Sequence, residues 1–298
     1  MINPKKKFGQ HFLSNRSILE TMVRAARITK RDTVLEIGPG MGSLTELLAK
    51  HAKKVIAVEK DRDLIPLLKE KFATTPNVEI IEGDILKIFN AQFPINPVRK
   101  LTRGINPSVR KIWNNPLASL RVFSNGIKQF PGIKSLKHSL KIKNFKLKIV
   151  ANIPYYITGR FLRFVFEQKT LPSSVVLMIQ REVAERIVGN PSTRRGVKES
   201  LLSLSVKTYG SPKIIRVVPR GAFNPPPKVD SAIIAIENIS DAWFIKNSIK
   251  PADFFALLKR AFQNKRKMLK NSLHDTNTTK FATRRPEELS LNDWADLL

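Results

Sequence analysis

The chain has 298 residues, 42% of them hydrophobic and 26% charged, which is typical of a soluble globular protein with one large domain or two unequal ones. It has no cysteine, so disulfides and thiolate metal sites are excluded, and we expect no metal site. The net charge of +29 predicts a polyanionic partner, and it favours nucleic acid over an anionic membrane because no basic amphipathic helix has a clean apolar face.

Hydropathy bears on location. No apolar run approaches the roughly 18 residues that span a bilayer. The basic N-terminus lacks the apolar core of a signal peptide. We therefore expect a cytoplasmic protein without a membrane partner.

Alternating strands and helices organise the first part of the chain. Ser17 and Glu20 fit a capping box that starts an amphipathic helix. We then predict strands at 33–37, 55–59 and 78–81, with helices at 43–51 and about 62–72. This alternation predicts an α/β protein with a parallel, doubly wound sheet.

A basic segment interrupts the alternation. Residues 89–148 contain 13 Lys or Arg residues and no acidic residue. We interpret about 89–145 as an insertion, which is either an RNA-binding arm or a tolerated surface insert. We favour the tolerated insert because long insertions add little loop-closure entropy. Without these charges the chain keeps about +16 (29 − 13), so its basic character does not depend on the insertion.

The alternation resumes after the insertion. We predict strands at 146–151, 174–179, 206–209, 214–218 and 229–236, with helices at 161–167 and 181–187. From about residue 239 the pattern becomes helical and basic. We therefore divide the chain into an α/β domain at 1–238 and a small helical domain at 239–298.

Three predicted strand ends carry residues suited to a nucleoside cofactor. Residues 38–42 (Gly-Pro-Gly-Met-Gly) form a tight loop, where the backbone can approach a ligand closely. The third glycine stands at 42 and not at 43, which disfavours a dinucleotide pyrophosphate. Glu59 can hold ribose hydroxyls, and Asp84 can accept from an adenine amino group. The set favours S-adenosylmethionine, and capping residues of an unrelated α/β protein are the alternative.

Asn152-Ile153-Pro154-Tyr155 follows the next predicted strand. The Asn152 side chain and the Ile153 carbonyl can accept hydrogen bonds from an exocyclic amine, and Pro154 has no N–H to donate. Tyr155 offers a face on which a base can stack. A strand running into a proline turn is the alternative. Because parallel strands end at one edge of the sheet, we expect this motif to face the cofactor loop.

Six motifs follow one another along the chain: Phe8-Gly9-Gln10-His11-Phe12-Leu13, Glu36-Ile37-Gly38-Pro39-Gly40, Val58-Glu59-Lys60-Asp61, Gly83-Asp84, Asn152-Ile153-Pro154-Tyr155 and Phe223-Asn224-Pro225-Pro226-Pro227-Lys228-Val229-Asp230-Ser231. In this order the chain resembles the small-subunit ribosomal RNA adenine dimethyltransferase family, whose loss gives kasugamycin resistance. The resemblance covers most of the chain apart from the insertion. It implies a Rossmann-like class I methyltransferase domain with a small C-terminal helical domain.

The resemblance also implies a reaction. Two methyl groups would pass from S-adenosylmethionine to N6 of each of two adjacent adenosines, in the hairpin loop near the 3′ end of small-subunit rRNA. The partner would be the assembling small ribosomal subunit, and we expect a monomer. By matching positions, the cofactor-contacting residues would be His11, Leu13, Gly38, Glu59, Asp84 and Asn152. The family often has asparagine in place of His11, which could instead pack under the N-terminal segment.

The chemistry of the amine suggests how the site works. The N6 lone pair of adenine is delocalised into the ring, and hydrogen bonds to Asn152 and the Ile153 carbonyl would localise and aim it. The predicted catalytic residues are Asn152, Ile153, Pro154, Tyr155 and Phe223. Tyr155 and Phe223 would sandwich a base splayed out of its loop. A core position beside a proline turn is the alternative for Phe223.

Two other functions stay open. One is the related methyltransferase of large-subunit rRNA that confers macrolide resistance, and the other is a non-catalytic rRNA-binding assembly factor on the same fold. The helical tail and the motif that starts at Phe223 favour the small-subunit enzyme, and intact Glu59 and Asp84 favour catalysis. Basic residues at 5–7, 194–195 and 259–270 either track rRNA phosphates or form solvated faces.

Overall fold

The structure, a computed structural model, describes residues 5, 9–92, 146–166, 168, 170–189, 198–264, 266–273 and 279–298. Residues 93–145, which make up most of the predicted insertion, lie outside these residues, and so do both interpretations of it. So do the basic residues at 6–7, 194–195 and 265.

Among the described residues, nine strands form two sheets, a central sheet of seven strands and a separate pair. The strands in chain order are β1 (Phe12–Leu13), β2 (Asp32–Ile37), β3 (Lys54–Glu59), β4 (Val78–Glu82), β5 (Lys146–Asn152), β6 (Ser174–Gln180), β7 (Ser211–Val218), β8 (Phe223–Asn224) and β9 (Ser231–Glu237). The spatial order is β4-β3-β2-β5-β6-β9-β7, and β1 pairs with β8 separately. The strands from β4 to β6 are parallel, as predicted. However, β9 runs antiparallel to both β6 and β7.

Helices cover the sheet and form the C-terminal region. They are α1 (Arg16–Ala25), α2 (Ser43–His51), α3 (Leu64–Lys71), α4 (Ile85–Gln92), α5 (Thr158–Phe166), α6 (Arg181–Val188), α7 (Leu201–Lys207), α8 (Ala242–Lys246), α9 (Pro251–Gln263) and α10 (Leu291–Ala295). Asn15 caps α1 by accepting from the Ile18 N–H at 3.3 Å, so the predicted cap at Ser17 is wrong. Within the described residues, no helix is both long and apolar enough to cross a bilayer.

The predicted strand at 206–209 is wrong. Those residues end α7 and form the turn after it. Ser200 and Ser203 exchange the two hydrogen bonds of a capping box, which starts a helix just upstream. The ring of Tyr209 then stacks on Phe166, with centroids 5.1 Å apart. A short apolar run fits a strand or a buried helix equally well, and here the cap decides for the helix.

The C-terminal region is helical, as predicted. Its buried Phe244, Phe254 and Trp294 belong to one continuous hydrophobic core with Ile234 and Ile236 of β9. The region is therefore anchored on the sheet by apolar packing. The domain boundary at residue 238 stays a prediction.

A buried ion pair joins β2 to β5 at the end of the sheet where both strands begin. Lys148 Nζ lies 3.1 Å from Asp32 Oδ2, and the two side chains are 11% and 3% exposed. The ammonium also donates to the Arg27 carbonyl. Burial tends to raise the pKa of Asp32, but the N–H and hydroxyl of Thr29 and the Lys148 ammonium hold it below its usual range. Lys148 is thus a structural residue, although it is one of the 13 basic residues counted at 89–148.

Removing this cation is expected to destabilise the sheet strongly. Lys148→Ala leaves the Asp32 carboxylate buried without its ammonium partner, so the free energy of unfolding should fall by ~3–5 kcal/mol. The control is Lys50→Ala, which breaks an exposed pair with Glu46 and should cost under ~1 kcal/mol. Urea unfolding at pH 7 measures both, and equal small losses would contradict the structural role of Lys148.

Candidate active site

A cavity of about 270 Å³ lies beyond the carboxyl ends of β2, β3, β4 and β5. From β2 the chain moves outward to β3 and β4, and it then returns to the other side of β2 to form β5. Strands β2 and β5 thus flank the switch point, where open α/β sheets bind ligands. The cavity is lined by nearly all the predicted site residues: His11, Leu13, Gly38, Glu59, Asp84, Asn152, Ile153, Pro154 and Tyr155. Phe223 is the exception.

The glycine loop joins β2 to α2 and shapes one wall of the cavity. Gly38 and Gly40 have φ of 67° and 59°, a left-handed conformation that favours glycine. No atom lies within 4 Å of the position that a Cβ would take at Gly38. A side chain there would project into open space beside the cavity. The loop therefore provides room for a ligand against bare backbone.

Glu59 ends β3 and is held by backbone N–H groups. Its Oε1 accepts from the N–H groups of Lys60 and Asp61, both at 2.8 Å, and its Oε2 accepts from Gly40 at 3.1 Å. Burial raises the pKa of Glu59 in spite of these donors. Since two carboxylate oxygens have about four lone-pair positions and three are occupied, about one position remains for a hydroxyl group of a ligand.

Asp84 follows β4 at the start of α4. Its Oδ1 accepts from the Leu86 N–H at 3.1 Å, and its Oδ2 lies 2.9 Å from Lys60 Nζ. The hydrogen bond to Asp84 raises the pKa of Lys60. The carboxylate is thus oriented from two sides and still lines the cavity.

Glu36, in β2, is a cavity residue to which the sequence analysis gave no role of its own. It is 1% exposed, and its Oε2 has no hydrogen-bond partner among the described residues. The buried hydroxyl of Thr45 in α2 lies close enough to Glu36 to oppose a rise in the pKa of its carboxyl group. Burial, assisted by the charge of Glu59, raises the pKa of Glu36 to about 8. The sequence signal was a glutamate between the apolar Leu35 and Ile37.

Asn152 and Tyr155 lie on the opposite wall. Asn152 Nδ2 donates to the His11 carbonyl at 3.4 Å, which orients the amide. The Tyr155 hydroxyl is 2.7 Å from Ser231 Oγ, and burial raises the pKa of Tyr155. The His11 ring lies nearly parallel to that of Tyr155, with centroids 6.1 Å apart. Its Nδ1 is 2.8 Å from the Pro225 carbonyl oxygen.

Phe223 does not line the cavity. It is 5% exposed and belongs to a hydrophobic cluster that also contains Leu13, its partner in the β1–β8 pair. This position matches the core alternative. Among the residues that line the cavity, the ring beside Tyr155 is His11. A stacking role for Phe223 stays a prediction.

The N-terminal segment is fastened to the end of β3. Gln10 Nε2 donates to Asp61 Oδ2 at 2.8 Å, and Lys5 Nζ lies 2.6 Å from Asp61 Oδ1. Burial tends to raise the pKa of Asp61, but Lys5 and Gln10 hold it below its usual range. Both partners of the Gln10–Asp61 contact stand in the quoted motifs, but only the fold shows that they meet.

The cavity gathers carboxyl groups in a basic protein. Glu36, Glu59 and Asp84 line it together with the cations of Lys60 and Arg160, whereas the whole chain carries +29. In the described part of the chain, no group of three or more His, Asp or Glu side chains is arranged to hold a metal ion. Carboxylates for hydroxyl and amino groups, beside an amide that can accept from an amine, suit a cationic nucleoside cofactor and a nucleobase substrate.

Known proteins resemble this chain over nearly its whole length. The family model for Ribosomal RNA adenine dimethylase matches residues 1–294. Ribosomal RNA small subunit methyltransferase A of Dehalococcoides mccartyi (strain CBDB1) is 37% identical over 272 residues, which cover 91% of this chain and 75% of that protein. The protein of the same name from Fusobacterium nucleatum subsp. nucleatum is 35% identical over 270 residues, which cover 90% and 82%.

The fold of this chain is also similar to those of solved structures. A dimethyladenosine transferase from Plasmodium falciparum has a TM-score of 0.67 and 26% identity, and the match covers 97% of this chain and 96% of that one. The 23S rRNA methyltransferase ErmE has a TM-score of 0.63 and 20% identity over 96% and 97%, a likeness that shows the fold alone. The predicted Rossmann-like class I methyltransferase fold is confirmed.

The buried Glu36 carboxyl predicts how stability depends on pH. In the folded protein it keeps its proton up to pH about 8, whereas the unfolded chain loses it near 4.5. Stability should therefore fall as the pH rises between these values. Glu36→Gln removes this loss, so its Tm should match the wild type near pH 4.5 and exceed it by about 3 °C or more at pH 8.

Thermal unfolding across this pH range measures the difference. The matched control is Glu70→Gln, because Glu70 is exposed on α3. A Glu36→Gln variant whose Tm follows the wild type at every pH would contradict the raised pKa.

Proposed function

The chain belongs to the ribosomal RNA adenine dimethylase family and is a methyltransferase, and we propose that it uses S-adenosylmethionine to dimethylate N6 of two adjacent adenosines in the 3′-terminal hairpin loop of small-subunit (16S-type) rRNA. The observation that carries the proposal is that the glycine loop and Asn152 share one cavity at the switch point. The 35–37% identity to small-subunit methyltransferases supports this substrate over the large subunit.

The strand ends suit S-adenosylmethionine as the methyl donor. Glu59 would accept from a ribose hydroxyl at its remaining lone-pair position, and Asp84 would accept from the adenine amino group. The open space at Gly38 admits a ligand against the backbone. Acidic side chains around the cavity favour a ligand with a positive charge. When bound, the sulfonium supplies an electrophilic methyl group.

Asn152 is the residue that we assign to amine activation. Because its Nδ2 donates to the His11 carbonyl, its Oδ1 is the atom left to accept from the N6–H of the target adenine. The Ile153 carbonyl, on the same wall, would accept the second N6–H. These bonds draw the lone pair out of conjugation and fix its direction, so positioning and electrostatics supply most of the catalysis. No strong base is required before attack, because the amine proton becomes acidic as the N–C bond forms.

Tyr155 is assigned to holding the target base. Its ring is fixed at the hydroxyl by Ser231 and flanked by His11. A fixed ring loses little entropy when a base stacks on it. Stacking contributes ~1–3 kcal/mol per base and offsets the cost of taking a loop adenine out of its stack. Pro154 keeps this wall free of a further donor, since it has no N–H.

Basic side chains outside the cavity support an rRNA partner. Lys259, Arg266 and Lys270 are exposed in the C-terminal helical region. Phosphate contacts of this kind position a substrate without reading its sequence. The charge of +29 further predicts binding that weakens steeply with salt.

Methyl transfer to small subunits that lack the modification tests the function. With labelled S-adenosylmethionine, mass spectrometry of the 3′ hairpin fragment should find four added methyls on two adjacent adenosines. Asn152→Ala should lower kcat by about 100-fold or more. Transfer to large subunits would instead support the macrolide-resistance activity. Tight subunit binding without transfer would support a non-catalytic assembly factor.

The glycine loop gives a separate prediction for the cofactor site. Gly38→Ala puts a methyl group into the open space and strains a left-handed φ, so the affinity for S-adenosylhomocysteine should fall by about tenfold or more. Gly221→Ala is the matched control, because that position also has nothing within 4 Å and its φ is not positive. Calorimetric titration measures both variants, and unchanged affinity in Gly38→Ala would remove Gly38 from the cofactor site.

A further inference from the structure

Two consecutive tyrosines in one turn have opposite environments. Tyr155 and Tyr156 begin the short helical turn Tyr155–Ile157 that precedes α5. Tyr155 is half-buried with its hydroxyl bonded to Ser231. Tyr156 is 60% exposed, although it too lines the cavity. A large aromatic ring left open at the rim of a binding cavity indicates a contact surface for a ligand or partner.

The exposed tyrosine continues into a basic face of α5. Gly159, Arg160 and Arg163 are exposed and follow Tyr156 at the i+3, i+4 and i+7 positions of one helical face. Arg160 lines the cavity together with Tyr156. Among the described residues, no atom beyond its own helix backbone lies within 4 Å of a Cβ at Gly159. The surface beside Tyr156 and Arg160 is therefore open within the described part of the chain.

We propose that Tyr156 and Arg160 form a subsite for the nucleotide next to the target adenosine, with the Tyr156 ring stacking on its base and the Arg160 guanidinium contacting its phosphate. The subsite rests on the proposed function, because it assumes that an adenosine occupies the cavity against Tyr155. Tyr156 lines the cavity and is 60% exposed, so its ring is available at the rim to the neighbouring nucleotide.

Stacking suits a substrate with two targets. When either adenosine enters the cavity, its neighbour loses a stacking partner and becomes exposed to water. An aromatic face accepts any base, so one tyrosine could support whichever nucleotide lies on its side of the target in each round of methylation. Tyr156 would thus act in positioning the substrate.

Arg160 places a positive charge at the rim of the cavity. Glu59 and Asp84 line the cavity and would repel the phosphates on either side of the target nucleotide. Among the described residues Arg160 makes no ion pair, so its charge is available to the RNA. A planar guanidinium also matches the geometry of a phosphate. This charge at the rim lets the backbone approach while the base enters an acidic cavity.

Four single variants test the subsite in the full-length protein. Tyr156→Ala should raise KM for unmodified small subunits about tenfold, whereas Tyr156→Phe, which keeps the ring, should stay within about twofold. Arg160→Ala should reduce the salt slope of RNA binding by about one. Arg31→Ala is the matched control, because Arg31 is exposed where β2 begins, at the other end of the sheet, and it should leave KM unchanged.

Affinity for S-adenosylhomocysteine separates this role from the alternative. The Tyr156 ring is 3.8 Å from the position of a Cβ at Gly9, so it could instead hold the N-terminal segment over the cofactor. In the proposed subsite, Tyr156→Ala binds S-adenosylhomocysteine as the wild type does. Equal losses of cofactor affinity and subunit KM would overturn the proposal, as would a Tyr156→Phe variant that is as impaired as Tyr156→Ala.

A hairpin RNA tests the subsite even where no methyl is transferred. Its loop carries the two adenosines, and in a second version one of them is abasic. Wild type should bind the abasic version about tenfold more weakly, and Tyr156→Ala should bind both versions alike. Equal sensitivity of both proteins to the abasic position would overturn the subsite. Absence of transfer by wild type would count against the proposed function alone.

Discussion

The parallel pairing of β2 with β5 is the interaction on which the site depends. It places the glycine loop beside Asn152, although β3, β4 and the basic insertion lie between them in the chain. The buried Lys148–Asp32 pair joins the two strands at the end remote from the cavity. Strand β5 begins at that same remote end and ends at the cavity with Asn152. The pair therefore fixes the strand whose far end carries the amide.

Opposite charges divide the work between the cavity and the surface. A cationic methyl donor and a polyanionic RNA must meet, and no single field attracts both. The carboxyl groups of Glu36, Glu59 and Asp84 are concentrated around the cavity, where Lys60 and Arg160 also lie, and most of the positive charge lies elsewhere in the chain. Because burial keeps a proton on Glu36 at neutral pH, the cavity carries less negative charge than its composition suggests. Its field therefore stays local, which reduces repulsion of approaching phosphates.

The sequence predicted the parts of the site that depend on local pattern. Strand–helix alternation located four strand ends, and Glu59, Asp84 and Asn152 meet at the cavity because parallel strands end at one edge. Contacts between segments that are distant in the chain could not be predicted from the sequence. The Gln10–Asp61 contact joins segments distant in the chain, and burial of Phe223 depends on pairing with Leu13. The wrong strand at 206–209 has the same origin, since a capping box and packing on Phe166 override a β-branched pattern.

The turn after β5 explains how one short segment can serve both chemistry and recognition. The strand sets the position of Asn152, and buried Ile157 anchors the far side of the turn. Between these two fixed points, Tyr155 is half-buried at the cavity wall and Tyr156 is exposed at the cavity rim. A change at the exposed position need not disturb Asn152, to which we assign activation of the amine. With the proposed subsite, RNA contacts can therefore vary while the chemistry is retained, because Asn152 is fixed by the strand end.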